Sequence, residues 1–350
     1  MTARAFLGRL DTDGSNYLEL IREGLAYTGF GREGPRRPRI FIKPNLTFPS
    51  YQPGVMTSPQ AVEAAIIALL DYTPDIWIGD SDSGGYNPFA MEDVYAATGI
   101  EAFAKRYGVK LVNLSSLERE TVRFRSHGRD ISLALPRLLT SGIDTLVTMP
   151  VPKIHMNTGV SLTFKNQWGC IPEPNDRLRL HPLFKEVVVA VNQAVKAQFA
   201  IIDGRFGLNV SGPMRGNAVP LNWLCVANDI GAGARVACEL MQVPVRSVSH
   251  LRYAESSGLV PPLSAITLNT ELRPFIGPKF YLRRKWTDVP GYLAFHHSAI
   301  AHLAYFSRWS KLLHRVLYVF REPFYDYAAM SRQRERRASS QPPNGPEPHD

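Results

Sequence analysis

The chain has 350 residues, of which 45% are hydrophobic, so it is long enough to bury a substantial core. Its three cysteines, Cys170, Cys225 and Cys238, lie far apart without a CxxC pair, which excludes an iron–sulfur cluster or zinc ribbon built from cysteines alone. We expect a reducing, cytoplasmic location. No segment offers the ~20 uninterrupted apolar residues of a spanning helix, and the N-terminus lacks the apolar run of a signal peptide. These features predict a soluble protein or one that lies peripherally at a membrane surface.

The net charge of +9 is distributed unevenly along the chain. Residues 279–337 contain twelve Lys and Arg against four Asp and Glu, whereas residues 1–278 are close to neutral. A basic block of this kind attracts nucleic acid or anionic lipid, or keeps a helix solvated. Because nothing else resembles a nucleic-acid-binding module, we expect no specific nucleic-acid partner.

Short apolar runs alternate with helical stretches along the body of the chain. The predicted strands are residues 39–42, 76–79, 110–113, 143–149 and 199–202, and the predicted helices are 59–71, 92–107, 184–197 and 228–242. Parallel strands need a crossover connection of a dozen or more residues, which these helices provide. The alternation therefore predicts an α/β fold, with a doubly wound, mostly parallel sheet and helices on both faces. The segment 204–220, rich in Gly, Pro and Asn, predicts a long ordered loop.

Beyond the body, the chain changes character. We divide it into an α/β domain at 1–278, a basic aromatic helical extension at 279–337 and a disordered tail at 338–350. Residues 292–330 interleave aromatic and aliphatic residues with basic ones, as one or two amphipathic helices would. Such helices either pack over the sheet or lie on anionic lipid, and both interpretations remain open.

Polar side chains are densest in residues 151–172, directly after the strand predicted at 143–149. Ligands usually bind beyond the carboxyl ends of strands in an open α/β sheet, so this segment predicts a site. Lys43, Lys153 and Lys165 follow strands and favour an anionic ligand that carries a carboxylate or phosphate. Asn45 and Asn166 come directly after two of these lysines, where their amides can orient the ligand. The alternatives are solvated lysines and asparagines that cap turns.

Carboxylates follow two other predicted strands. Asp80, Ser81 and Asp82 begin the loop DSDSGGY after strand 76–79, and Asp203 ends strand 199–202. We expect the three aspartates to hold a divalent ion, Mg²⁺, Mn²⁺ or Zn²⁺, although they can equally cap helices or turns. The loop matches neither a Walker motif nor the GxGxxG fingerprint, so no NAD site is predicted.

Two further residues in the polar segment carry alternatives. His155 is either a general acid or base or a packing residue. Cys170 borders the same segment, where a buried apolar role is favoured over that of a nucleophile.

Several short motifs occur in an order that resembles a known family. They are IKPN at 42–45, TSP at 57–59, IGDS at 78–81, PKIH at 152–155, SLTFKNQWG at 161–169, His181, DGRFGL at 203–208, Gly212 to Gly216, and Asn228 with Asp229. The pattern resembles the domain of unknown function 362 family over roughly residues 38–245, and SLTFKNQWG is its most specific piece. The chain departs from the family at Ala234, where members often carry a second aspartate, and it lacks the ferredoxin-like cysteine clusters of many relatives. The resemblance implies an α/β fold with a polar pocket and no settled reaction.

Three hypotheses follow. The first is a metal-assisted enzyme for an anionic small molecule, with the roles assigned as follows: catalysis by His155, Lys165 and Asp203, substrate binding by Lys43, Asn45, Lys153, Asn166 and Ser81, and metal binding by Asp80, Asp82 and Asp203. The second is a protein that binds the same metabolite without turnover. The third is a membrane-surface protein that handles an amphiphilic phosphorylated substrate and is recruited to anionic lipid by residues 279–337.

Overall fold

The structure, a computed structural model, describes residues 2–320 apart from 33, 34, 36, 48, 84–88, 127 and 128. The strands are β1 (Arg4–Arg9), β2 (Ile40–Pro44), β3 (Ile76–Asp80), β4 (Lys110–Asn113), β5 (Arg119–Ser126), β6 (Arg129–Pro136), β7 (Thr145–Met149), β8 (Lys153–His155), β9 (Gly159–Ser161), β10 (Ala197–Asn209), β11 (Asn217–Ala227) and β12 (Thr267–Leu268). The helices are α1 (Tyr17–Thr28), α2 (Pro59–Leu70), α3 (Met91–Thr98), α4 (Ile100–Tyr107), α5 (Arg137–Thr140), α6 (Thr163–Asn166), α7 (Pro174–Leu180), α8 (Phe184–Ala194), α9 (Ile230–Leu240), α10 (Ser249–Ser256), α11 (Val289–His296), α12 (Ser298–Ala301) and α13 (Ser310–Phe320).

The central sheet is mixed and mostly parallel. Its strand order is β12-β1-β11-β10-β7-β2-β3-β4, with β8 and β9 attached to the side of β10. The run from β10 through β7, β2 and β3 to β4 is parallel, whereas β11 is antiparallel to both β1 and β10. The carboxyl ends of the parallel strands therefore meet at one edge, which is where a ligand site is expected.

Helices cover both faces of the sheet because its central strands are apolar on both sides. Successive side chains of a strand point to opposite faces. Ile40 and Ile42 pack with α1, α2 and α4 in one core, while Phe41 between them packs in the other core with α8, α9 and α10. The doubly wound α/β fold expected from the sequence is confirmed.

The predicted elements are largely found, with two corrections. The helix predicted at 92–107 is two helices, because Gly99 takes the left-handed φ of 80° and ends α3. The helix at 59–71 begins as predicted, since the Ser58 hydroxyl accepts a hydrogen bond from the Ala61 N–H at 3.2 Å and Pro59 occupies the first turn.

The prediction of a long loop at 204–220 was wrong. Strand β10 continues to Asn209 and β11 begins at Asn217, so most of this segment is a paired hairpin. The glycines on which the loop prediction rested are instead needed for close packing inside the hairpin. A Cβ at Gly204 would lie 2.2 Å from the Trp223 ring on the partner strand, and only glycine fits there.

The C-terminal extension is helical over its described part, as predicted. Helix α11 packs onto the body through Phe295, which belongs to the same core as α8, whereas α13 leaves Leu312, Val316 and Val319 exposed. Among the described residues, no helix is long and apolar enough to cross a bilayer. The predicted tail at 338–350, and residues 321–337 of the extension, lie outside the described residues.

Candidate functional site

A cavity of about 280 Å³ opens at the carboxyl ends of β2 and β3. It brings together side chains from β2, β8, α6 and α7 that are far apart in the sequence. The cationic lining residues are Lys43, Lys153, Lys165 and Arg177, and the histidines are His155 and His181. The polar lining also includes amide and hydroxyl residues, namely Asn45, Thr47, Ser81, Ser83, Ser161 and Asn166. The structure thus brings eight of the ten predicted site residues to one cavity, and their roles stay a prediction.

The floor of the cavity holds a buried ion pair between Lys43 and Asp80. The Lys43 Nζ lies 2.6 Å from the Asp80 Oδ2, and the two side chains are 1% and 6% exposed. Lys43 also donates to the Pro44 carbonyl at 2.9 Å. The second carboxylate oxygen of Asp80 accepts a hydrogen bond from the Ser81 N–H at 2.8 Å. Both carboxylate oxygens of Asp80 thus bind groups of the protein itself, and Lys43 neutralises the Asp80 charge at the floor of the cavity.

Gly169 makes this ion pair possible. A Cβ at that position would lie 2.6 Å from the Asp80 Oδ1 and 3.2 Å from the Lys43 Nζ. The Gly169 carbonyl also accepts a hydrogen bond from the Ser81 hydroxyl at 2.6 Å. The motif at 161–169 therefore ends on a glycine because its backbone must approach the ion pair directly.

Lys153 and Lys165 lack carboxylate partners among the described residues. Lys153 is buried and donates to the Val55 carbonyl at 2.8 Å. Burial, followed by repulsion from Lys165, lowers the pKa of Lys153 to about 7. Burial and then the charge of Arg177 lower the pKa of Lys165 to about 8. Burial and the neighbouring cations therefore disfavour the charged form of both amines, and an anion beside them would relieve the repulsion.

Arg177 is the residue that the sequence analysis missed. It lies on α7 with its guanidinium donating to the Asp82 backbone carbonyl, and burial lowers its pKa. The segment PNDRLRL has the charge content of a solvated helix. Pro174 at its first position indicates that a helix begins there, but it gives no sign of a binding site.

The two histidines of the cavity are neutral near pH 7. Burial, then the charges of Lys165 and Lys153, hold the pKa of His155 well below its usual range. Burial lowers the pKa of His181 to about 3. The His155 Nδ1 accepts a hydrogen bond from the Asn157 N–H at 3.2 Å, so the proton of the neutral ring is on Nε2. In this tautomer the His155 Nε2 is a hydrogen-bond donor, and the predicted acid or base role of His155 stays a prediction.

The predicted amides and hydroxyl line the cavity and also hold its walls. Asn166 donates to the Lys43 carbonyl at 2.9 Å, and Asn45 donates to the Val55 carbonyl at 2.9 Å. Their side-chain oxygens are the groups left for a ligand. Cys170 is fully buried, and burial raises its thiol pKa to about 12, so the packing interpretation fits it.

The structure does not bring the three predicted metal-binding aspartates together. Asp82 accepts hydrogen bonds from the Met91 N–H at 2.8 Å and the Asn113 amide at 2.9 Å. Asp203 lies outside the cavity lining and accepts a 2.6 Å hydrogen bond from the Tyr17 hydroxyl. No group of three or more His, Cys, Asp and Glu side chains within the described ranges is placed to hold a metal ion. The predicted set of Asp80, Asp82 and Asp203 therefore does not fit a divalent cation, because each carboxylate is already used by the fold.

Asp203 instead joins α1, α2 and β10. Besides Tyr17, it accepts from the Ser58 N–H at 2.8 Å, at the start of α2. Carboxylates stabilise helix N-termini in this way. Its predicted catalytic role has no geometric support, since it does not reach the cavity. Glycines 84 and 85 of the predicted DSDSGGY loop lie outside the described residues.

The structure is thus that of an α/β protein with a cationic cavity at the carboxyl edge of a doubly wound sheet. The chain belongs to the family described as a domain of unknown function (DUF362), which it matches over residues 40–239. The cationic residues named above all fall within that match. The resemblance inferred from the short motifs is confirmed.

The chain is similar at low sequence identity to known proteins, among them the following three. The thylakoid-associated protein sll1697 of Synechocystis sp. is 26% identical over 247 residues, covering 65% of this chain and 71% of that protein. The structure of the lactate racemase apoprotein from Thermoanaerobacterium thermosaccharolyticum matches with a TM-score of 0.45 and 13% identity, covering 69% of this chain and 57% of that one. A protein from Thermotoga maritima matches with a TM-score of 0.37 and 13% identity, covering 58% of this chain and 53% of that one. The chain thus spans little more than half the length of these two structures, and similarity at this level carries no conclusion about its activity.

Proposed function

We propose that the chain is an enzyme for a small molecule that carries a carboxylate or phosphate. The observation that carries the proposal is the charge imbalance of the cavity. Among the described residues, four cationic side chains and one carboxylate line it, and that carboxylate, on Asp80, is already paired with Lys43. Lys153, Lys165 and Arg177 are left to bind an anion, and an anion is the ligand class that such a set selects.

Lys165 is the group best suited to move a proton. A pKa of about 8 leaves part of its population as the free amine near neutral pH, which is the range where a general acid or base works. It is partly buried and makes no hydrogen bond or ion pair to another described residue, so its amine is available to a ligand. In this proposal Lys153 and Arg177 hold the anionic group, the His155 Nε2–H orients a neighbouring oxygen, and Lys165 transfers the proton.

A metal-assisted mechanism is not part of this proposal. The three predicted carboxylates are occupied or lie elsewhere, and cations rather than acceptors dominate the cavity. The residues present therefore supply charge stabilisation and proton transfer without a step that depends on a bound ion.

Binding without turnover is the second candidate, because no carboxylate among the described lining residues is free of a partner. Both oxygens of Asp80 are engaged, one by Lys43 and the other by the Ser81 N–H. A sensor or carrier needs the cations alone, whereas an enzyme needs Lys165 to exchange a proton with the ligand.

A metabolite-depletion experiment separates the two. Purified protein is incubated with a pool of small carboxylates and phosphate esters, and mass spectrometry follows their loss against Lys165→Met protein. An enzyme consumes at least one anionic compound with wild-type protein only. If anions bind but no compound is consumed, the chain is a binding protein and the catalytic proposal fails.

We also propose two points about its location. The first is that the protein works in a reducing compartment, and the second is that part of it lies at a membrane surface. The three cysteines are free and buried, which supports the first part. The name of the Synechocystis relative associates that protein with thylakoids, which supports the second. Fractionation of cells into soluble and membrane pools tests the second.

A further inference from the structure

Helix α13 exposes an apolar face that no described residue covers. Leu312, Leu313, Val316 and Val319 are 52%, 43%, 53% and 77% exposed. The spacing of Leu312, Val316 and Val319 places them on one side of the helix. Single exposed apolar residues are ordinary, whereas a contiguous stripe of this kind marks an interaction surface.

The exposed face continues beyond α13. A groove of about 480 Å³ runs between the helices of the extension, and its lining includes Leu293 of α11, Leu303, and Leu313 and Val316 of α13. Trp309, directly before α13, is 50% exposed. The apolar surface is thus shared by the helical extension as a whole, which we call the extension face.

Within residues 279–320, the exposed charged side chains are all positive. Residues 279–320 contain seven Lys and Arg and a single acidic residue, Asp288, which is 5% exposed and accepts a hydrogen bond from the Lys285 N–H. Arg308, Lys311 and Arg315 are exposed beside the apolar stripe. Any partner that covers the apolar residues therefore meets several cations and no exposed carboxylate of this segment.

We propose that the extension face binds the surface of an anionic lipid bilayer. The apolar residues enter the headgroup boundary, while the long basic side chains reach lipid phosphates and carboxylates. Trp309 sits at the start of the helix, where an aromatic ring suits the interface between water and lipid. A second copy of the chain would bring its own excess of cations to the same surface, so charge complementarity favours the lipid. The inference rests on the membrane location proposed above and is independent of the ligand proposed for the cavity.

Vesicle co-sedimentation with the full chain at low ionic strength tests the inference. The probes are phosphatidylcholine vesicles with and without phosphatidylserine. We expect binding only when phosphatidylserine is present. Because each cation near an anionic surface contributes to binding, Lys311→Gln with Arg315→Gln should weaken binding roughly thirtyfold. Leu312→Ser with Val319→Ser should weaken it at least about tenfold through lost insertion.

Matched variants and a folding check keep the test decisive. Arg123→Gln with Arg125→Gln removes two exposed cations from β5, and we expect its vesicle binding to stay within about twofold of wild type. Circular dichroism verifies that each variant is folded. Absence of wild-type binding to phosphatidylserine vesicles overturns the inference, as does an equal loss in the β5 variant. Light scattering that shows a dimer broken by Leu312→Ser with Val319→Ser, together with no vesicle binding, would assign the face to a second copy and also overturn it.

Discussion

At the scale of single residues, the cavity contains one structural ion pair and two lysines without a carboxylate partner among the described residues. Lys43 and Asp80 neutralise each other in the interior at 2.6 Å. Replacing a buried ion pair as a unit is often tolerated, but removing one partner leaves an uncompensated charge. No described carboxylate pairs with Lys153 or Lys165, and burial, followed by repulsion from neighbouring cations, lowers the pKa values of both.

Loss of the Asp80 carboxylate should therefore destabilise the fold. We expect Asp80→Asn to lower the free energy of unfolding by about 3–5 kcal/mol, because Lys43 remains buried without its partner. Asp75→Asn breaks two surface ion pairs, to Arg39 and Lys110, and should cost about 1 kcal/mol or less. Urea denaturation measures both. Equal losses in the two variants would contradict the structural role of Asp80.

Loss of Lys165 should have the opposite effect on stability. Burial and the charge of Arg177 disfavour its ammonium form, so Lys165→Met should raise the melting temperature of the ligand-free protein. After a discount for its partial exposure, the gain is at most about 2 kcal/mol. Calorimetric titration with sulfate should at the same time show weakened binding. Lys185→Met, which removes an exposed lysine beside Glu186, is the control and should change neither quantity. A lower melting temperature for Lys165→Met would make Lys165 a structural residue.

At the scale of elements, the site depends on backbone that comes close to side chains. The turn at Gly169 lies against the Lys43–Asp80 pair, and the Gly204 strand lies against Trp223. At both glycines a side chain would displace a neighbouring group. Glycine usually indicates a loop, and the loop prediction therefore failed at Gly204, which lies in a strand. The sequence pattern predicted β2, β3 and β4 correctly, because each is a short apolar run between two helical segments.

A methyl group at Gly169 should therefore disturb the cavity. We expect Gly169→Ala to lower stability and to weaken sulfate binding, because its Cβ would meet Asp80 Oδ1 at 2.6 Å. Gly291→Ala is the matched control, since nothing lies within 4 Å of its added Cβ and it occupies a helix. Thermal unfolding and sulfate titration of both proteins make the comparison. A Gly169→Ala protein that behaves like the control would show that the ion pair does not need this close approach.

The candidate site could be predicted in part from the sequence, for a physical reason. Lys43, Lys153 and Lys165 follow strands or lie in a polar run, and the carboxyl ends of parallel strands converge on one edge. Arg177 could not be found, because a basic residue on an amphipathic helix looks the same whether it faces solvent or a cavity. Asp203 was misplaced because a carboxylate at a strand end can cap a helix as well as serve a site, and only tertiary packing decides between the two.

At the scale of the whole molecule, the helical extension and the α/β body share a core. The ring of Phe295 on α11 lies 4.6 Å from the ring of His181, which lines the cavity. Phe280 and Phe295 both belong to the core beneath α8 and α9. The predicted boundary at residue 278 remains a prediction, and these contacts argue that residues 279–320 stabilise the cavity wall.

Removal of the Phe295 ring tests that contact. We expect Phe295→Ala to cost about 3 kcal/mol, because the ring is 4% exposed and packs against His181 and Phe184. It should also weaken sulfate binding by loosening the His181 wall. Phe306→Ala removes a partly exposed ring that lies under Arg179, and should cost clearly less. Urea unfolding with two separate transitions would instead show that the extension is an independent domain.

The pH dependence of sulfate affinity tests the central claim, that unpaired cations make this cavity an anion site. Sulfate keeps its charge across the range, so any change reports the protein. Lys153 and Lys165 have pKa values of about 7 and about 8 in the free cavity, so they are both charged only below this range. We predict the tightest binding near about pH 6 and a fall approaching tenfold per pH unit for each lysine above its pKa, with proton uptake on binding. Calorimetric titration in buffers of different ionisation enthalpy measures the affinity and the proton uptake together. Sulfate affinity that is unchanged up to about pH 9, or absent throughout, would contradict the account.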